Sequence, residues 1–113
     1  MAKISELKFT IKLNDNKIPE SIQWEASDNP AQGRQACEAL MISMWDKAAG
    51  NTLGIDLWTE KLLVNDMNLH VVQTLMKMAD TVQRATRNQA AGNLLRSFAR
   101  SYADKMIPKK NGK

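Results

Sequence analysis

Cysteine and histidine each occur once in the 113 residues, as Cys37 and His70. An internal disulfide is therefore excluded, and one Cys with one His cannot furnish the closed tetrahedral set of a structural zinc site. No cluster of carboxylates has ligand spacing, so neither a metal nor a cofactor is expected. A Cys–His nucleophile pair would need the two groups within hydrogen-bond reach and a third group to orient the base. Cys37 lies in what reads as an apolar stripe, where burial would raise its thiol pKa and leave it inert. The stretch "GNTLG" at 50–54 has two glycines but lacks the lysine–hydroxyl pair that ends a phosphate-binding loop. Long apolar runs are missing too, where a membrane-spanning helix needs about 20 such residues. The N-terminal "MAKISELKF" has no apolar signal region. Together these absences lead to the expectation of a soluble, cytoplasmic, non-enzymatic protein whose thiol stays reduced.

What is present is a 43% hydrophobic chain, enough for one domain with its own core, expected over residues 3–107 with a basic tail at 108–113. Charge is unevenly spread. The first 80 residues carry 8 Lys/Arg against 11 Asp/Glu, whereas residues 81–113 carry 8 Lys/Arg and a single acid, Asp104. The C-terminal third is thus a basic appendage on a mildly acidic body, suited to an anionic partner.

Leu7, Phe9, Ile11 and Leu13 alternate with Lys8, Thr10 and Lys12, the signature of a half-buried strand. After the turn chemistry of "NDNKIPE", Ile22, Trp24 and Ala26 alternate again, so residues 5–26 read as a β-hairpin. Cys37, Leu40, Met41, Met44, Trp45 and Ala48 then fall at helical spacing, which predicts an amphipathic helix closed by Gly50 and a buried Trp45. Residues 52–58 alternate as a third strand, with Leu53, Ile55 and Leu57 on one face and Asp56 and Trp58 on the other. A long helix capped at Asn65 or Asp66 and ending near Thr86 follows. A last helix is expected to turn Ala91, Leu94, Leu95, Phe98, Tyr102 and Met106 inward, with Arg96 and Arg100 outside. The reading is α+β, in the order β-β-α-β-α-α: a three-stranded antiparallel sheet of order 2-1-3 with helices on its aliphatic face.

On that arrangement Trp58, Asp56, Lys8 and Lys12 share the outer sheet face. An exposed indole there is a candidate protein-docking residue, because tryptophan buries a large area with few rotors. Asp46 and Asp56 could be imagined as an acid–base pair, but a hydrogen bond from Asp46 into the following turn accounts for it more simply. Arg84, Arg87, Arg96, Arg100 and Lys105, with Lys109 and Lys110, form a candidate anion-binding surface for nucleic acid or an anionic membrane. A solvated helix face explains the same charges. The nucleic-acid signal is not strong, since Phe98 and Tyr102 fall on the apolar stripe rather than among the cations. The exposed edge strand and the Trp58 face each offer a route to a homodimer.

Four segments carry a resemblance: "ELKFTIKLNDNKIPESIQWEASD", "SMWDKAAGNTLGIDLWTEKL", "TLMKMADTVQRAT" and "SFARSYADK". They resemble the GldC family of gliding-motility-associated proteins of Bacteroidota, over about residues 5–105. The resemblance implies a small soluble accessory of the gliding machinery whose partner is another motility component. It brings no catalytic residue with it.

Overall fold

The computed structural model describes residues 3–29 and 33–108. The chain divides into two compact units, Met1–Leu62 and Leu63–Lys113. The first is all β and the second all α, so the fold is α+β.

In the first unit, β1 (Leu7–Leu13) and β2 (Pro19–Ala26) form the expected hairpin, with Phe9 opposite Trp24 and Ile11 opposite Ile22. Asn14 builds its turn. The Asn14 side-chain oxygen accepts from the Asn16 and Ile18 amides at 2.8 and 3.0 Å, and Lys17 takes a left-handed φ of 63°. A short β3 (Gln35–Cys37) adds to the far edge of β2, giving a sheet of order β1-β2-β3. Ile22, 1% exposed, is its most deeply buried side chain.

The segment expected to be a helix is extended. After a single bend at Glu38, β4 (Ala39–Asp46) pairs antiparallel with β5 (Asn51–Trp58) to make a separate two-stranded sheet. This corrects both the third-strand position beside β1 and the 2-1-3 order. The physical reason lies in the ladder itself. Leu40, Ile42 and Met44 stand opposite Leu57, Ile55 and Leu53, and these apolar cross-strand pairs reward a period of two over the helical period that the same residues also fit. Gly50, expected just past a helix, instead occupies the β4–β5 turn at φ 64°. Asp46 accepts from the Ala49 amide there at 3.3 Å, a hydrogen bond into the turn that follows it. Among the described residues β4 is hydrogen-bonded along one edge only, and from Ala39 to Trp45 it contains neither a charge nor a proline.

The second unit is a helical hairpin of α1 (Val64–Thr86) and α2 (Gln89–Met106). Leu63 occupies the N-cap of α1 and makes no side-chain cap, so neither Asn65 nor Asp66 caps it as expected. Arg87 closes α1 in the left-handed region at φ 57°, and Asn88 caps α2 by accepting from the Ala91 amide at 3.1 Å. With only these two residues between them, the helices fold back antiparallel.

Their contact is built on small residues. Asn68, Val72, Leu75, Ala79, Val82 and Thr86 recur at alternating steps of four and three along α1, and Asn88, Gly92, Leu95, Ala99, Tyr102 and Met106 do so along α2. Ala79, Gly92 and Ala99 are buried in this seam. Polar contacts fasten it. The Tyr102 hydroxyl donates to Asn68 at 3.0 Å, the Asn68 amide donates to the Met106 carbonyl at 3.3 Å, and Arg96 donates to Gln83. Of the large residues expected inward on α2, Leu95 and Tyr102 are half-buried in the seam, whereas Leu94 is 74% and Phe98 58% exposed, and Met106 is exposed as well.

Candidate functional site

The β4–β5 hairpin puts both of its tryptophans on one face. Ala39 pairs with Trp58, Met41 with Asp56, Ser43 with Gly54 and Trp45 with Thr52, and side chains directly opposite one another share a side. Trp45 is 69% exposed and Trp58 55%. The buried Trp45 of the sequence reading is therefore overturned, because the segment is a strand whose indole side faces water. Six residue steps along β4 separate the two ends of this face, a span of roughly 20 Å. Between the indoles lie exposed Met41 opposite Asp56, and Ser43 opposite the side-chain-free Gly54.

Trp58 also borders a shallow depression of about 340 Å³, shared with Lys17, Ile18, Pro19, Asp56 and Leu57. Asp56 and Trp58 are thus brought together, as their i, i+2 spacing required. The lysines proposed with them are placed elsewhere. Lys12 lies in a neighbouring depression with Glu20, Ser21, Glu60 and Lys61, where it pairs with Glu20 at 3.6 Å, and Lys8 lines another with Glu6 and Glu25. The cation at the Trp58 depression is Lys17, which sequence reasoning missed. Its signal was the Asn-Asp-Asn run before it, which favours a tight turn and so a left-handed residue within it.

The basic cluster divides in two. Arg96 is largely buried, hydrogen-bonded to Gln83 and 3.6 Å from Asp80, so it serves the helix seam rather than an outer surface as expected. Arg84, Arg87, Arg100 and Lys105 are exposed, while Lys109 and Lys110 lie outside the described residues.

Cys37 and His70 belong to different compact units. Cys37 ends β3, half-buried, and not on a helix. Burial pushes its thiol above the usual range, against a smaller opposing hydrogen bond with the Ala39 backbone. The buried Nε2 of His70 has no hydrogen-bond partner among the described residues. No three His, Cys, Asp or Glu side chains among the described residues are grouped to hold a metal ion, and no described helix is long and apolar enough to cross a membrane.

What the β4–β5 hairpin exposes is thus apolar area with aromatic ends. Comparison with known families places it. The family described as gliding motility-associated protein GldC-like matches residues 19–107, and the chain belongs to that family. No curated protein and no solved structure matches the chain.

Proposed function

We propose that this chain is a non-enzymatic, cytoplasmic accessory of the gliding machinery that works as a docking module, binding another motility component through the Trp45–Trp58 face of the β4–β5 hairpin. The observation that carries the reading is the pair of exposed indoles on one side of a two-stranded sheet, about 20 Å apart by strand geometry. A two-stranded hairpin is marginal by itself in water, and apolar residues on both of its faces gain from being covered. Tryptophans at the two ends of the face would bracket a partner segment laid between them, and Asp56 with Lys17 would fix its polar groups at the Trp58 end.

A second reading has its own support. Arg84 and Arg100 are exposed and pair with no acid among the described residues, which suits binding of nucleic acid or an anionic membrane surface.

Affinity capture from gliding cells at low and physiological salt separates the two. Docking through the hairpin predicts a motility protein retained by the wild-type chain at both salts and lost from Trp45→Ala and Trp58→Ala. Capture that ignores both tryptophans and collapses with salt would replace the docking reading by the anionic one.

A further inference from the structure

Each helix of the hairpin carries a second stripe beside its seam, displaced by one residue and set at the same alternating spacing. On α1 it runs through Met67, Val71, Thr74 and Met78, and on α2 through Ala91, Leu94 and Phe98. The two stripes lie on the same side of the hairpin. Met78 precedes Ala79 and Asp80 follows it, each turned by about 100° from the seam in opposite senses. Phe98 likewise precedes Ala99, with Arg100 after it. Asp80 meets Arg96 across one side of the hairpin, 3.6 Å apart, so Met78 and Phe98 both stand on the other.

We infer that this face is covered by the same face of a second copy of the chain, joining two hairpins into a four-helix bundle. Helices with two adjacent seams are those of a bundle, where each touches two neighbours. Among the described residues α1 and α2 are the only helices, and each already occupies the other's first seam. The remaining stripe is complementary to one of its own kind. Charge permits the approach: the α1 stripe holds no ionic residue as far as Ala85, Arg84, Arg96 and Arg100 sit away from the contact, and the cation on the α2 stripe, Lys105, stands in the last turn, where its long side chain can reach solvent. The area is also sufficient. A helix of 23 residues is roughly 35 Å long, and two helices side by side are roughly 20 Å wide. The resulting face of about 700 Å² approaches the roughly 800 Å² per partner of stable interfaces. This surface belongs to the helical unit and the tryptophan face to the β unit.

Light scattering on the full chain during size-exclusion chromatography tests the inference. The expected mass is twice 12.7 kDa at micromolar concentration. The double substitution Leu94→Glu with Phe98→Glu is expected to return the mass to 12.7 kDa with helical circular dichroism retained. Should the glutamates unfold the hairpin, Leu94→Ala with Phe98→Ala keeps helix propensity and is expected to weaken dimerisation at least tenfold, read by sedimentation. A wild-type chain that is monomeric throughout would overturn the inference, because something other than a second copy then covers the stripe. So would a dimer indifferent to both substitutions, whose contact must lie elsewhere.

Discussion

Gly92 offers a quantitative test of the helix seam. A Cβ at this position would stand 2.5 Å from the Gln83 side-chain oxygen, 2.7 Å from Arg96 Nη2 and 3.1 Å from the Ala79 carbonyl. Gly92→Ala gains about 0.8 kcal/mol of helix propensity. It also pushes apart Gln83 and Arg96, whose charge-assisted hydrogen bond contributes about 2 kcal/mol in a setting this sheltered. Shifting the Ala79 carbonyl adds a few tenths more. The net loss is about 1–1.5 kcal/mol, or roughly 5 °C in Tm for a chain of this size. The informative assay is a double-mutant cycle of thermal melts. In a Gln83→Ala background the oxygen is gone and Arg96 can swing toward Asp80, so Gly92→Ala should become neutral or stabilising there. The coupling between the two positions is then about 1.5 kcal/mol. An alanine at 92 that raised Tm with Gln83 in place, or that acted equally in both backgrounds, would refute the packing argument.

Trp45→Ala and Trp58→Ala should each stay within about 1 kcal/mol of wild-type stability in urea, because both indoles are mostly in water. Ile22→Ala should cost about 3 kcal/mol in the same titration, as a fully buried aliphatic truncation in the three-stranded sheet. Tyr102→Phe removes the hydroxyl from Asn68 and should cost about 1 kcal/mol, seen as a lower melting temperature of the helical signal. For Cys37, thiol alkylation measured against pH should show a midpoint above that of the unfolded chain. The corresponding stability is present in full below the unfolded thiol pKa. It declines as pH rises through the folded one, because the native state holds its proton longer. A native midpoint at or below the unfolded one would show that burial does not govern this thiol.

Most of the element positions could be read from residue patterns. β1 alternates from Leu7 to Leu13 with no competing period, and α1 and α2 are long enough for the helical period to dominate. The segment 37–48 was not decidable alone. Leu40 and Met44 fit both periods, methionine has little preference for either, and the arbiter is the Leu53–Ile55–Leu57 strand that pairs with it. The error at Trp45 followed directly, since a helix would have turned it inward. In the helices the large apolar residues drew attention away from the tighter seam of Ala79, Gly92 and Ala99, where small side chains allow close approach. The alternating four–three spacing through Gly92 was the readable signal. At the candidate site Trp58 and Asp56 were legible as neighbours on one strand face. Lys17 was not, because its place depends on a turn bringing the start of β2 toward the end of β5.

The uncharged outer edge of β4 has a consequence for how much of this protein a cell can hold. Open strand edges are ordinarily guarded by lysines, prolines or bulges, and Ala39 to Trp45 offers none of these. At concentrations far above micromolar, copies whose edges meet would pair strand to strand and leave solution as aggregates. A lysine placed on this edge should therefore lower the aggregated fraction of an overproduced chain while leaving the two-stranded ladder in place.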